Sequence, residues 1–220
     1  MLKKRFAAAV DVRKVVCMLA IAVGAAGVFT PPGVRAANIV EEWAAVKAPP
    51  APELKAVAIE AKTTALLMLD FLPPNCGARP RCVASLPVMK KLLEDARASG
   101  VTVIHTVFGK LTPADIPKEV AATPNEPWVS SFADKFLNTD LEKILKGKGI
   151  ETVIVAGTAA NGAVLYTGSG AELRGFKVIV PVDGISSLDT YSEQFGVWQL
   201  ANGPTFSARV TLSRTDLIKF

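Results

Sequence analysis

Thr64-Ala65-Leu66-Leu67-Met68-Leu69-Asp70 is the stretch that decides how this chain reads. Six uncharged, mostly apolar residues ending in a carboxylate predict a strand buried on both faces. Burying a charge is costly, so Asp70 belongs where the strand leaves the sheet. In parallel α/β sheets that end of a strand is where ligands bind. Asp70 is therefore the first candidate for chemistry.

Outward from this strand, patterns alternate. Strands are predicted at 101–107, 152–156, 176–181 and 208–212, with an edge strand at 54–59. Helices are predicted at 83–99, from Thr139 to Gly149, at 160–173 and at 191–201. In the first of these, Leu86, Val88, Met89, Leu92, Leu93 and Ala96 fall at helical spacing and Gly100 stops the helix. Thr139-Asp140-Leu141-Glu142 has the form of a capping box. One or two helical turns at 39–46 and a Pro-rich linker at 47–52 precede the domain. Alternating strands and helices mean βαβ units. The expected fold is a three-layer α/β/α arrangement, a Rossmann-like, mostly parallel sheet with helices on both faces. Residues 109–131 form a long Pro-rich stretch without periodicity, of the kind that often makes lids. Trp128 and Phe132 near it read either as pocket walls or as packing anchors.

The N-terminus reads as a leader. Lys3, Lys4, Arg5, Arg13 and Lys14 precede or flank an apolar run at 15–29, Pro31, Pro32 and Gly33 break it, and Val34-Arg35-Ala36 offers a cleavage site before Ala37. The run is shorter than the roughly 20 residues that span a bilayer, so no stable membrane anchor is expected after cleavage. The expected organisation is a signal peptide at 1–36, an extension and linker at 37–60 and one domain at 61–220, exported to the periplasm. The leader holds six of the 25 basic residues and one of the 20 acidic ones, leaving the remainder without net charge. That removes the electrostatic case for nucleic acid. Cys17 leaves with the leader. Cys76 and Cys82 remain in one loop, and a stapling disulfide is preferred to a catalytic thiol.

Four stretches, in order, resemble the isochorismatase-like hydrolase superfamily, which includes nicotinamidases and related amide hydrolases. They are Leu66-Leu67-Met68-Leu69-Asp70; Phe136-Leu137-Asn138-Thr139-Asp140-Leu141; Thr152 through Val164 with Thr167; and Gly175-Phe176-Lys177-Val178-Ile179-Val180 with Asp183. The resemblance covers about residues 60 to 215. It implies a triad of general-base Asp, orienting Lys and a Cys at a helix start that attacks a carbonyl. The family Asp falls on Asp70, the family Cys on Ala163, and the family Lys, six residues before the aromatic matched by Phe136, on Ser130. It also implies a cis peptide joining Thr158 to Ala159, and an anion-friendly helix start formed by Asn161 and the amides of Ala159 and Ala163.

Alanine has no nucleophile, so thioester chemistry is not expected at Ala163. Cys76 is a stand-in only if it is not bonded to Cys82. Lys135, near Ser130, is a pocket candidate that replaces the missing lysine if the loop shifts; as a lysine at the start of a helix, the preferred reading is a solvated surface residue. Asn75, His105, Trp128 and Phe132 complete the pocket candidates. His105, the single histidine, follows a strand at the end where it can line the pocket; without a cluster of ligands it reads as a satisfied structural histidine, and no metal or cofactor is expected. Tyr166, Trp198 and Gln199 read as core or interface residues, and the resemblance implies a homodimer or a higher homo-oligomer.

The function these readings imply is hydrolysis of a small molecule without a cysteine. In one form Asp70 acts as a general acid on a vinyl ether, as the resemblance to isochorismatases proper implies. In the other it acts as base for water attacking an amide or ester, with the amides of Ala159 and Ala163 as oxyanion hole. The alternative is a catalytically retired binding protein on the same scaffold. Thiol–disulfide exchange is disfavoured because Cys76 and Cys82 are not in Cys-x-x-Cys spacing.

Overall fold

A computed structural model describes residues 38–204 and 207–220. The proposed leader lies outside the described residues. The chain divides into two units, Met1–Lys47 and Ala48–Phe220. In the first, α1 (Ile39–Glu42) continues into a 3-10 turn at Trp43–Ala45. Asn38 starts it, accepting the N–H groups of Val40 and Glu41, while Glu41 reaches back to the Asn38 N–H.

The second unit is built on parallel strands. β1 (Val57–Ala58) pairs with β9 (Ile218–Lys219) in a small separate sheet, where a longer edge strand was expected. The main sheet runs β4 (Trp128–Ser130), β3 (Thr102–Val107), β2 (Thr64–Leu69), β5 (Thr152–Thr158), β6 (Lys177–Pro181) and β8 (Val210–Ser213), with β7 (Ile185–Ser186) pairing with the end of β5. Every one of these pairings is parallel. The helices are α2 (Pro80–Ala98), α3 (Leu141–Gly147), α4 (Leu165–Leu173) and α5 (Thr190–Asn202). The short strands β4, β7 and β9 were not expected, because two or three residues carry no readable alternation.

β2 shows why the sheet has a layer on each face. Successive side chains of a strand point to opposite sides. Ala65, Leu67 and Leu69 join a core with Leu141, Leu145, Ala171 and Leu200 of α3, α4 and α5. Leu66 and Met68 join another with Met89, Leu92, Leu93 and Ala96 of α2. All six residues of β2 are buried, as its composition predicts. The result is the three-layer α/β/α fold.

Two glycines make close approaches that bear on the site. A Cβ on Gly157 would lie 2.1 Å from the Leu69 carbonyl oxygen, and its φ of +136° is open only to glycine in practice, so the ends of β2 and β5 can converge. A Cβ on Gly196 would lie 2.6 Å from the Ala160 carbonyl oxygen, so α5 sits directly against the turn that precedes α4.

The capping box expected at Thr139 does not form. α3 begins at Leu141, and its N-cap residue, Asp140, makes no side-chain cap bond. Thr139 Oγ1 instead donates to the Lys135 carbonyl and accepts from the Leu141 N–H, while Glu142 is held by Lys146 and Arg174. Likewise, the helix expected to start at Ala160 opens with a π turn, Ala160–Val164, before α4 proper.

Candidate functional site

Asp70 sits just beyond β2 with φ +54°, a left-handed conformation that Asp tolerates better than most residues. This turns its side chain from the strand direction toward the end of β3. Thr106 Oγ1 donates to Asp70 Oδ1 at 2.7 Å and accepts from the Asp70 N–H at 3.2 Å. The other oxygen, Oδ2, lies 2.7 Å from Lys135 Nζ. Side-chain exposure is 0% for Lys135 and 4% for Asp70.

Lys135 is therefore not the solvated surface residue that sequence reading predicts. It is buried beneath the loop before α3, and it, rather than Ser130, meets Asp70. Its Nζ also donates to the Ser131 carbonyl at 2.6 Å, and its backbone N–H donates to Thr167 Oγ1 of α4 at 3.2 Å. Ser130 lies exposed on β4, in register with Val107. Counting back from Phe136 misses Lys135 because the loop turns tightly between Ser131 and Thr139. The available signal is that Lys135 is the one lysine between Lys118 and Lys143.

Burial dominates the electrostatics of the pair. It pushes the Asp70 carboxyl above its ordinary value, against the pull of Lys135, Thr106 and Arg79. It pushes the Lys135 ammonium below its ordinary value, against the pull of Asp70 and then Asp134. Asp70 is thus a carboxyl that holds a proton more readily than a free one, beside a lysine that holds its own less readily.

A cavity of about 240 Å³ opens over this pair. Asp70, Asn75, Thr158 and Ala159 line it, with Ala133 and Ala163 between them and Phe108 and Phe132 at the side. The two rings stand 6.3 Å apart, centroid to centroid. Phe132 is 75% exposed, so it borders the opening rather than plugging it. The Thr158–Ala159 peptide is cis, as expected. The Ala159 carbonyl accepts the N–H groups of Gly162 and Val164, which holds the turn carrying Ala163. Asn161 is exposed beside it, its Oδ1 accepting from Ser187 Oγ at 2.9 Å. Larger depressions exist, one of them between the 49–55 segment and α5, but among the described residues none of these gathers a buried charged pair.

The other candidates lie elsewhere. Cys76 and Cys82 form a disulfide and both are buried, so Cys76 offers no nucleophile. His105 does not line the cavity. Strand alternation sends Thr106 to the Asp70 side and its neighbour His105 to the face of α2, where His105 Nε2 meets Glu126 Oε2 at 3.0 Å. Glu126 is also gripped by Arg97, twice at 2.8 Å, and by the Thr123 N–H. Burial lowers the affinity of His105 for a proton despite Glu126. Trp128 lies half-exposed in a different depression beside α3. Among the described residues, no group of three or more His, Cys, Asp or Glu side chains could hold a metal, and no helix is long and apolar enough to cross a membrane. Thr106, Phe108 and Ala133 belong to the site without having been singled out in the sequence, since nothing in a Thr, a Phe or an Ala marks it until neighbouring strands are placed.

Comparisons with known proteins bear on the family and the fold. The Isochorismatase domain model matches residues 64–212. A secreted isochorismatase effector of Verticillium dahliae is 30% identical over 125 residues, covering 48% of this chain and 62% of that protein. An uncharacterized isochorismatase family protein of Escherichia coli O157:H7 is 26% identical over 155 residues, covering 59% of this chain and 82% of that protein. Among solved structures, an isochorismatase-like hydrolase from Alkaliphilus metalliredigens superposes with a TM-score of 0.63 at 24% identity, covering 70% of this chain and 95% of that one.

Proposed function

We propose, for a chain that belongs to the isochorismatase family, a small-molecule hydrolase in which Asp70 is the acid–base group, Lys135 its charge partner, and no cysteine takes part. The observation that carries this reading is the buried 2.7 Å contact between Asp70 and Lys135 under an open cavity. A retained ion pair of this kind is costly to keep dry. Asp70 positions are tuned toward acid–base work when burial raises a carboxyl beside a fixed charge.

Vinyl-ether cleavage suits the site best. Protonated Asp70 gives its proton to the vinyl carbon, whose π electrons form the new C–H bond. Water adds to the resulting oxocarbenium carbon and returns a proton to the Asp70 carboxylate; the hemiketal then breaks its C–O bond, its hydroxyl proton passing to the departing oxygen, to leave an alcohol and a ketone. Lys135 then stands against the carboxylate that Asp70 becomes. Ala163 leaves room for the substrate. The amide or ester alternative uses Asp70 as the base that takes a proton from attacking water, with the Ala159 and Ala163 N–H groups holding the oxyanion. Ala163 itself favours a second reading, a retired hydrolase that only binds its ligand, because no nucleophile remains. Export, with a leader at 1–36 and the periplasm as destination, is part of the proposal. It is supported by the disulfide and by the secreted fungal relative.

The test is hydrolysis by the protein across small amides, ureides, esters and isochorismate, followed over pH. Turnover of the vinyl ether that declines as pH rises through the raised Asp70 value supports the acid role. Turnover that instead increases there assigns Asp70 as a base. A folded protein with no turnover on any substrate moves the assignment to ligand binding.

A further inference from the structure

Asn75 lines the cavity beside Asp70, and its orientation is fixed from outside. Arg79 Nη1 lies 2.8 Å from the Asn75 carbonyl oxygen and 2.8 Å from Asn75 Oδ1. A guanidinium can only donate, so the side-chain atom facing Arg79 is the oxygen, and the amide flip is settled. That leaves Asn75 Nδ2, with two N–H donors and no hydrogen-bond partner among the described residues. The Cys76–Cys82 disulfide closes the loop that carries Arg79, and Asn75 directly precedes Cys76. Arg79 itself is not fully used. Its Nε is buried and unpartnered, and its charge reaches Asp70. Arg79 does not line the cavity, so contact with a ligand there falls to Asn75.

We propose that Asn75, oriented by Arg79, is the specificity-determining residue of this site, donating to a carboxylate or carbonyl oxygen of the substrate while Arg79 adds positive charge behind it. This rests on the reading of the Asp70 cavity as a ligand site, but not on turnover. The substrate class it selects is a compact molecule with an anionic oxygen group set beside the bond that Asp70 serves. Asn75 touches the ligand; Arg79 is a positioning residue that acts through Asn75.

The experiment is a ¹⁹F NMR titration of the full-length protein with 4-fluorobenzoate and with 4-fluorotoluene, which share a ring and differ in the carboxylate. Wild type is expected to bind the benzoate at least tenfold more tightly than the toluene. Asn75→Asp keeps an oxygen for Arg79, and so keeps the loop, but replaces the donors by a negative acceptor; it is expected to lose benzoate binding tenfold or more with toluene binding unchanged. Arg79→Gln is expected to weaken the benzoate alone, by a smaller factor. Wild type that prefers neither probe or binds neither at millimolar concentration, or Asn75→Asp that weakens both probes equally, overturns the proposal and leaves Asn75 as a loop-closing residue. A failure of the hydrolase reading shows separately, as absent turnover in a protein that still distinguishes the two probes.

Discussion

Lys135 Nζ stands 2.7 Å from Asp70 Oδ2, and neither side chain reaches solvent to any useful extent. A pair buried this deeply behaves as a unit. Removing one member strands the other's charge, at a cost of about 3–5 kcal/mol, whereas removing both leaves only a packing change. Asp70→Asn and Lys135→Met are each expected to lower stability by about 3 kcal/mol. The double variant should recover most of that loss. Urea unfolding of the four proteins measures it. Additive losses in the double variant would mean the two side chains do not interact.

Ala163, the position to which the family resemblance assigns the cysteine, lies on a turn that leads into α4 and lines the same cavity as Asp70. Ala163→Cys is expected to create a thiol that alkylates with iodoacetamide at neutral pH faster than a free cysteine, whose pKa is about 8.5. The disulfide occupies Cys76 and Cys82, so mass spectrometry can assign the adduct to position 163. A thiol there that reacts no faster than a free one would show that the turn no longer activates a nucleophile.

The Cys76–Cys82 bridge closes a short loop, with a sequence separation of 6. Closing a loop of that length restricts the unfolded chain by about 2–3 kcal/mol. Cys76→Ser with Cys82→Ser is expected to lower stability by about that amount. Because the loop carries Arg79, which holds the adjoining Asn75, the same variant should also weaken fluorobenzoate binding. Unchanged stability on thermal or urea unfolding would remove the bridge from the account.

The main sheet was legible because its buried strands are continuous apolar runs, and Asp70 was legible because it ends one of them. Lys135 was not. Its position depends on the turn between Ser131 and Thr139 and on the Thr167 hydroxyl from α4, both set by tertiary contacts. His105 and Thr106 are adjacent in sequence, yet one belongs to the site and the other to an ion network beneath α2. Only the pleat of β3, placed against β2, separates their roles. Trp128 drew attention by size alone, and size does not say which depression a ring lines.

His105 should make stability fall on the acid side. Burial lowers its proton affinity in the folded protein, while the unfolded chain titrates near 6.5. Below that pH the unfolded chain takes up a proton that the folded protein does not, so stability is present above 6.5 and declines as pH falls toward the folded value. Glu126 adds a second decline at lower pH. Burial pushes its carboxyl up, but the hydrogen bonds from Arg97 and the Thr123 N–H outweigh that and hold it below 4.5. Urea unfolding from pH 7 to 4 should show the first slope, and His105→Asn should abolish it. An unchanged slope in that variant would assign it to another group.

In the proposed hydrolase, Asp70 performs the chemistry without a nucleophile at position 163. The most direct test is kcat/KM for isochorismate, measured on wild type and Asp70→Asn side by side, with folding of both checked by circular dichroism. The account predicts measurable cleavage by the wild type and a loss of at least about 10²-fold in Asp70→Asn, the scale of a missing acid–base group. Cleavage that persists undiminished in Asp70→Asn would contradict it.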